Sequence, residues 1–234
     1  MAGTENTSLG DISLLSDLPE KALGEISKRC SWRTFATGEQ ILDRQSDSCD
    51  LYFIVDGRAR VVNYALSGRE VTFDDRERGS YFGELAALDG EPRSANVVAL
   101  EETVVAILSQ EGFHHVLITY PQVAVRILKN LAKIVRISTD RIMDLSTLGA
   151  NNRVHAELLR LATPNVDDDN MARISPIPIH GDIASRVSTT RETVARVFSD
   201  LTREGILQRD RNALVILDVE HLTDIVQEVR GERD

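Results

Sequence analysis

The first half of the chain alternates short apolar runs with glycine-containing turns. Between residues 32 and 108 the runs are rich in β-branched and aromatic residues, and glycines separate them at positions 38, 57, 68, 79 and 90. Strands are predicted at residues 40–43, 51–55, 59–64, 71–73, 95–100 and 103–108. Many short strands joined by glycine turns predict a β-sandwich or β-roll. A helical pattern at residues 84–88 interrupts this series.

Helical patterns flank the strand-rich region. On its N-terminal side Asp17 can cap a helix, proline follows in the first turn, and Glu20 stands three residues on, which is typical of a helix start. Residues 1–14 show no such pattern, and we expect them to be loosely packed or disordered. On the C-terminal side a long helix is predicted from Pro121 to about Leu148.

The long helix carries a heptad seam. Its positions are spaced alternately by four and three residues: Ile127, Leu131, Ile134, Ser138, Arg141, Leu145 and Leu148. A seam of this length predicts a two-helix coiled coil. Two seam positions are polar, and polar seam residues usually set the register or contact something. Residues 149–152, Gly-Ala-Asn-Asn, follow and predict a hinge.

Two short helices are predicted close together in the C-terminal third. Their apolar faces are Ile183, Ala184 and Val187 for the first, and Val194, Val197, Phe198 and Leu201 for the second. The polar pair Ser188-Thr189 separates them, which is helix-turn-helix spacing. We expect Thr189 to cap the second helix with Glu192 as its capping-box partner. A β-hairpin is predicted at residues 206–217.

Composition narrows the class of protein. The chain of 234 residues is long enough for two modest domains. No apolar run is long enough to span a membrane, and the N-terminus lacks the features of a signal peptide, so we expect no membrane association and a cytoplasmic location. Cys30 and Cys49 are the only cysteines, too few for a disulfide scaffold or a four-thiolate metal site. The net charge of −10 argues against non-specific nucleic-acid binding by the whole surface.

Residues 79–95 gather polar groups around the short interrupting helix. Gly83 lets another group approach the backbone closely at the helix start, where free N–H groups favour an anion. Arg93 can donate two hydrogen bonds to a phosphate. Glu84 can accept a hydrogen bond from a ribose hydroxyl. Together these groups match the ring phosphate and ribose of a cyclic nucleotide.

The second predicted helix of the C-terminal pair carries groups suited to DNA. Arg191, Glu192 and Arg196 lie near its start and away from its apolar face. In the major groove an arginine can bind guanine O6 and N7, and a glutamate can accept from cytosine N4. Thr190 and Thr193 can contact phosphate or a thymine methyl group. Charge adds little, because residues 181–212 hold six arginines against five acids.

These features in this order resemble a family of bacterial transcription regulators, that of the cyclic AMP receptor protein and the fumarate-nitrate regulator, in its nucleotide-binding branch. The resemblance covers about residues 15–219. Gly83-Glu84-Leu85 with Arg93-Ser94-Ala95 resembles the family's phosphate-binding cassette. Ser138-Thr139 resembles the polar pair of the dimer helix that reaches the purine base, one pair from each subunit. Arg191-Glu192-Thr193 with Arg196 resembles the recognition helix for a TGTGA-type half-site.

The resemblance implies an α+β fold in four parts. These are an N-terminal β-roll (a double-stranded β-helix or jelly roll) at residues 15–119, a dimerisation helix at 120–148, a hinge at 149–152 and a winged helix-turn-helix domain at 153–234. It also implies a mechanism, in which cyclic AMP bridges the β-roll and the dimer helices. The homodimer then holds its recognition helices about 34 Å apart on a palindromic site in double-stranded DNA. RNA polymerase is an expected further partner.

Three alternatives remain open from the sequence. The hydroxyls of Ser94, Ser138 and Thr139 can donate or accept, so the regulator could respond to both cyclic AMP and cyclic GMP. A regulator of the same build could need no cyclic nucleotide. An enzyme with a metal site in the β-roll is disfavoured, because residues 32–108 contain no histidine. An iron–sulfur centre is also disfavoured, because only Cys30 falls in the N-terminal region. From these two arguments we expect neither an enzyme nor a bound metal.

Overall fold

The computed structural model describes residues 8–66, 68 and 70–231. The chain divides into two compact units, Met1–Ile134 and Val135–Asp234. Across the described ranges, no helix has the length and apolar character required to cross a membrane.

The first unit contains, among its described residues, two four-stranded antiparallel sheets. Its strands are β1 (Cys30–Phe35), β2 (Gln40–Leu42), β3 (Leu51–Asp56), β4 (Arg58–Tyr64), β5 (Glu70–Glu77), β6 (Tyr81–Phe82), β7 (Asn96–Ala99) and β8 (Thr103–Leu108). The strand orders are β1-β8-β3-β6 and β2-β7-β4-β5. All six predicted strands are present. The two missed strands, β1 and β6, carry weak signals, because β1 is largely polar and β6 is too short to show a period.

Strand β3 lies between two apolar clusters of the first unit. Its first five residues are all buried. Leu51 and Phe53 face a cluster that includes helical residues, whereas Tyr52 and Ile54 face the cluster formed with the other sheet. Since successive side chains of a strand point to opposite faces, a strand covered on both sides is apolar throughout.

The helices of the first unit begin with α1 (Glu20–Arg29), α2 (Glu84–Asp89) and α3 (Gln110–Thr119), and the chain continues into α4 (Pro121–Thr147). The predicted cap of α1 is wrong. Pro19 occupies the N-cap position without a side-chain bond, and the Asp17 carboxylate pairs with Arg126 instead.

The N-terminal segment is better packed than its sequence suggests. Residues 1–7 lie outside the described residues. Leu9, Ile12 and Leu14 are buried in the first core, and the Ser13 amide donates to the Gly79 carbonyl oxygen at 2.8 Å. The prediction of loose packing therefore fails for residues 8–14, because their apolar side chains close one end of the core.

Part of the predicted seam of α4 is buried within the chain itself. Ile127 and Leu148 are buried among residues of the chain's own core clusters. The large apolar residues that α4 leaves exposed stand elsewhere: Val125, Leu128, Val135, Ile142, Met143 and Leu145. The exposed heptad row is therefore Leu128, Leu131, Val135, Ser138, Ile142 and Leu145, of which Leu131 is half-buried. Compared with the predicted seam, the exposed row has Leu128, Val135 and Ile142 in place of Ile127, Ile134 and Arg141.

The second unit follows the end of α4 with α5 (Ala150–Ala162), β9 (Ala172–Ile174), α6 (His180–Arg186), α7 (Arg191–Arg203), β10 (Leu207–Asp210), β11 (Ala213–Ile216) and α8 (Val219–Arg230). The predicted hairpin is β10 and β11, and β9 adds a third strand beside β11. Neither β9 nor α8 was predicted. The predicted hinge is shorter than expected, because α5 begins at Ala150 and leaves only Leu148 and Gly149 between α4 and α5.

Two buried acids organise the second unit. Asp144 on α4 accepts from Arg160 on α5 at 3.0 Å and from Arg230 on α8 at 2.6 Å. Glu157 on α5, whose side chain is 1 % exposed, pairs with Arg160. Two further arginines lie near the Glu157 carboxylate, Arg186 at 3.5 Å and Arg141 at 4.0 Å. This cluster, which we call the ion network, links four helices of the unit.

Candidate ligand and DNA-binding sites

A left-handed glycine shapes the first candidate site. Gly83 is the N-cap of α2 and has φ +82°, a backbone conformation that residues with a Cβ atom rarely adopt. A Cβ atom at this position would stand 2.7 Å from Nη1 of Arg93 and 3.0 Å from the Asp50 carbonyl oxygen. Glycine is therefore required both by the backbone and by the close approach of the arginine.

Arg93 is buried although it carries a charge. Its residue is 3 % exposed. Nη1 donates to the Gly83 carbonyl oxygen at 2.9 Å, and Nη2 donates to the Asp50 carbonyl oxygen at 2.8 Å. The Ser48 hydroxyl accepts from Nη2 at 3.1 Å and from Nε at 3.4 Å. Among the described residues no carboxylate forms an ion pair with Arg93, so the positive charge is held only by neutral acceptors.

Aromatic rings form a second wall around this arginine. The Tyr52 and Phe82 rings stack with centroids 5.1 Å apart, and the Arg93 guanidinium carbon lies 5.6 Å from the Tyr52 centroid. Burial lowers the pKa of Arg93 from its ordinary value, yet an arginine remains charged at neutral pH.

Glu84 is the first residue of α2 and is 6 % exposed. Burial raises the pKa of its carboxyl above the ordinary glutamate value, and a bond from its own backbone N–H together with the charge of Arg76 acts in the opposite direction. No described side chain forms an ion pair with Glu84. Gly83, Glu84 and Arg93 are thus brought together as the spacing predicted, and we call this group, with Ser48 and Tyr52, the cassette.

The remaining predicted ligand residues are placed differently. Leu85 is 38 % exposed, and Ser94 is exposed with its carbonyl oxygen accepting from Asn63. Ser138 and Thr139 are exposed on α4 in the second unit, whereas the cassette lies wholly in the first. The Thr139 hydroxyl donates to the Val135 carbonyl oxygen at 3.0 Å, as is common for threonine inside a helix.

Sequence reasoning missed three residues that surround Arg93. Ser48, Asp50 and Tyr52 stand more than forty positions before Arg93 in the chain and belong to no local motif. A signal was present only in part, because Tyr52 belongs to the apolar strand β3. Nothing in the sequence marks Ser48 or the Asp50 carbonyl as partners of a distant arginine.

The second candidate site is the pair α6 and α7. The residues predicted for their apolar faces are all buried. The predicted cap is corrected by one residue: Thr190, not Thr189, occupies the N-cap position of α7, and its hydroxyl accepts from the Thr193 amide at 3.3 Å. The turn needs Ser188 at φ +51°, which moves the helix start one residue onward.

Arg153 on α5 holds the turn between the two helices. Its guanidinium donates to the carbonyl oxygens of Val187 at 2.8 Å and Ser188 at 3.1 Å, and to that of Leu148 at 2.9 Å. The first two bonds satisfy the carbonyls of Val187 and Ser188, which lie beyond the end of α6. Arg153 was not predicted as a site residue, since it lies 34 positions from Val187.

The residues predicted to contact DNA share the start of α7. Thr190, Arg191, Glu192 and Arg196 are exposed, and Thr193 is half-buried. A bond from its own backbone N–H, and then one from the Thr190 hydroxyl, lower the pKa of Glu192, so the carboxylate is ionised at neutral pH. The Arg191 guanidinium lies against Gly181, where a Cβ atom would be 2.9 Å from Nε. Arg209 and Arg211 are exposed in the hairpin.

No group of three or more metal-ligating side chains exists in the part of the chain that the structure describes. His114 and His115 are both exposed on α3.

Comparison with known proteins gives both sites a family context. A model of the cyclic nucleotide-binding domain matches residues 32–120, and a model of the Crp-like helix-turn-helix domain matches residues 152–225. A protein named Cyclic AMP receptor protein, from Thermus thermophilus, is 31 % identical over 176 residues, which cover 75 % of this chain and 79 % of that one. The chain belongs to the family of the cyclic AMP receptor protein and the fumarate-nitrate regulator.

Other known proteins match a larger share of the chain. The CRP-like cAMP-activated global transcriptional regulator of Mycobacterium tuberculosis is 22 % identical over 92 % of this chain and 96 % of its own length. Among solved structures, the Thermus thermophilus catabolite activator protein has a TM-score of 0.53 at 27 % identity, covering 92 % of this chain and 99 % of that one. A CooA mutant from Carboxydothermus hydrogenoformans has a TM-score of 0.79 at 20 % identity, covering 95 % and 97 %.

Family membership confirms several predictions at a coarse level. The family consists of transcription regulators rather than enzymes, and the chain combines a cyclic nucleotide-binding domain with a DNA-binding helix-turn-helix domain. The α+β fold with an antiparallel β-roll, a long helix and a C-terminal helix-turn-helix is confirmed.

Proposed function

We propose that this protein is a homodimeric transcription regulator that binds cyclic AMP and then a palindromic TGTGA-like site in double-stranded DNA. One observation carries the proposal: a buried, charged Arg93 sits beside a left-handed glycine and is bonded only to neutral acceptors. A buried charge without a counter-charge is costly, so an anion that reaches it binds favourably. The cyclic phosphate of the nucleotide supplies that anion.

The hydrogen-bond distances suggest how the phosphate enters. The two bonds from Arg93 to Ser48 are 3.1 and 3.4 Å, longer than those to the Gly83 and Asp50 carbonyls. A phosphate oxygen can replace the Ser48 hydroxyl and keep the two carbonyl bonds that orient the guanidinium. Glu84 then accepts from the ribose hydroxyl beside Gly83.

The choice of base falls to Ser94, Ser138 and Thr139. Their hydroxyls can satisfy either adenine or guanine. Cyclic AMP is favoured because the names of the two relatives above refer to it. A response to both cyclic AMP and cyclic GMP is the second candidate. A regulator that needs no cyclic nucleotide is the third, since CprK, a neighbour with a TM-score of 0.71, was solved with a different ligand, OCPA.

The exposed heptad row of α4 supports the homodimer. Leu128, Val135 and Ile142 are each more than 60 % exposed and stand seven residues apart. A second copy of the same helix covers such a row by knobs-into-holes packing. Ser138 lies within the row, which supports the proposed base-contacting role of this residue at a dimer contact.

The start of α7 supports sequence-specific DNA binding. Arg191, Glu192 and Arg196 are exposed there on a helix whose other face is buried. Each well-placed side chain adds roughly 1–3 kcal/mol of discrimination between bases. We propose that the protein acts on DNA in the cytoplasm. RNA polymerase is the further partner that we propose.

Calorimetry with cyclic AMP and cyclic GMP tests the proposal directly. We expect the full-length protein to bind at least one of them, and the tighter nucleotide to strengthen binding to a palindromic DNA measured by fluorescence anisotropy. Arg93→Ala should abolish nucleotide binding while the dimer stays folded. Arg78→Ala is the matched control, because Arg78 pairs with Asp11 on the surface. Unchanged affinity in Arg93→Ala would refute the pocket, and no response to either nucleotide would favour the third candidate.

A further inference from the structure

An open cavity of about 240 Å³ lies in the first unit, apart from the cassette residues. Its lining comes from the N-terminal segment, from the end of β5 through β6, and from the first half of α4: Ser13, Leu14, Arg76, Ser80, Tyr81, Arg126 and Asn130. The only charged groups in this lining are two guanidiniums. The cavity therefore presents positive charge and hydrogen-bond donors without a carboxylate.

The cavity wall holds a buried donor without a partner. Nε of Arg76 has no hydrogen-bond partner among the described residues, and Nδ2 of Asn130, also buried, interacts with the Tyr81 hydroxyl. The ion pair of Arg76 with Asp74, at 3.4 Å, uses Nη2 and leaves Nε unsatisfied. A buried donor without a partner is unfavourable, and native proteins rarely leave one without an occupant.

The other cavity groups are fixed as donors. Arg126 is held by the Leu14 carbonyl oxygen at 2.9 Å and by the Asp17 carboxylate, so its guanidinium is an ordered part of the wall. Burial raises the pKa of Tyr81 to about 12, which keeps its hydroxyl protonated at neutral pH. The Ser80 hydroxyl accepts from the Glu77 amide at 3.1 Å, and its own hydrogen is free to point elsewhere.

We propose that this cavity binds an oxyanion, a phosphate or a carboxylate, through Arg76, Asn130 and Arg126. The oxyanion comes free from solution, since the single phosphate of a cyclic nucleotide is the group proposed to bind Arg93. The cavity shares no residue with the cassette, so the proposal goes beyond the nucleotide-dependent function. The two are electrically linked, since the charge of Arg76 acts on Glu84.

Inorganic phosphate is the probe for a free oxyanion. The full-length protein is titrated with phosphate by calorimetry at constant ionic strength, with chloride as the balancing salt. We expect binding to the wild type, and at least a tenfold loss in Arg76→Gln. Asn130→Asp keeps the side-chain shape but places a negative charge in the cavity, and it should also abolish binding. Arg78→Gln is the matched control, because this arginine follows β5 but bonds Asp11 outside the cavity.

Circular dichroism and gel filtration establish that each variant is folded. A second arm titrates cyclic AMP with and without phosphate. Phosphate binding that survives saturating cyclic AMP and the Arg93→Ala substitution supports a free oxyanion. Mutual competition, with Arg76→Gln weakening both ligands, would show that the cavity holds the phosphate of the nucleotide and would overturn a separate oxyanion site.

The proposal is overturned if phosphate does not bind the wild type, or if phosphate binds the wild type and Arg76→Gln with equal affinity. Its failure is separable from failure of the nucleotide proposal. A wild-type protein that binds phosphate through Arg76 but ignores both cyclic nucleotides would refute the latter and uphold the former.

Discussion

Buried charges occur in both units, but they are satisfied in opposite ways. In the ion network of the second unit, Asp144 and Glu157 are each contacted by more than one arginine. In the cassette of the first unit, Glu84 and Arg93 are equally buried, yet neither forms an ion pair with a described side chain. The Arg93 guanidinium is bonded to neutral oxygens, and burial raises the pKa of the Glu84 carboxyl.

The difference separates structural charges from binding charges. In the ion network each buried carboxylate is contacted by several arginines, so the cluster links helices and its two acids have little capacity left for a ligand. Charges that the protein buries without a partner keep their capacity for an outside group of opposite sign or matching hydrogen bonds. The comparison makes opposite predictions for neutralising an acid in each cluster.

The largest effect is expected in the ion network. Glu157→Gln leaves three arginines without their shared carboxylate, and breaking a buried pair costs about 3–5 kcal/mol. The free energy of unfolding of the full chain, measured in urea, should fall by that amount. Asp210→Asn is the control, because the Arg173–Asp210 pair is exposed and should contribute less than about 1 kcal/mol. Equal losses in the two variants would remove the distinction between the clusters.

Glu84→Gln should raise the free energy of unfolding near neutral pH, the opposite of the effect expected for Glu157→Gln. It should also weaken nucleotide binding about tenfold or more, the usual value of a hydrogen bond to a charged group. Because the pKa of Glu84 is raised on folding, the folded state binds the proton more tightly than the unfolded chain does. Its ionisation therefore costs stability as the pH rises above the ordinary glutamate value of 4.5.

Urea unfolding on both sides of that pH checks the sign. The stability of Glu84→Gln should match that of the wild type at the acidic end and exceed it near neutrality. A variant less stable than the wild type near neutrality would show that Glu84 is a paired structural charge like Glu157.

Glu192→Ala should change selectivity by roughly 1–3 kcal/mol at one base pair of each half-site. Its carboxylate has a lowered pKa and is exposed, so it is available as an acceptor for a cytosine amino group. Anisotropy titrations with DNAs substituted one position at a time measure the effect. Arg203→Ala, at the far end of α7, is the control. Uniform weakening for every DNA would instead mark a contact to the backbone.

The smallest effect concerns the two cysteines. Burial raises the pKa of Cys30 to about 12, so its thiol should resist iodoacetamide in the folded protein. Cys49 lies between Ser48 and Asp50, whose oxygens bind Arg93, and saturating cyclic AMP should slow its alkylation. Mass spectrometry of the labelled peptides reports both rates. Rapid native labelling of Cys30, or no effect of nucleotide on Cys49, would contradict these expectations.

The sequence by itself determined the order of elements and the local motifs. Six strands, the helices α2, α4, α6 and α7, and the hairpin follow from periodicity and turn residues, because these signals act over a few neighbouring positions. The closeness of Gly83, Glu84 and Arg93 was also predictable, since a short helix and one turn connect them. The motifs were distinctive enough to indicate the family.

Only the tertiary structure decided what these residues meet. Ser48 and Asp50 reach Arg93 across more than forty positions, Arg153 reaches Val187 across 34, and Arg230 reaches Asp144 across 86. The heptad row left exposed by α4 also depended on packing, because a helix face is buried or free according to its neighbours and not its own period. Long-range contacts of this kind leave no local pattern, since any surface-compatible residue can serve once the fold brings it into place.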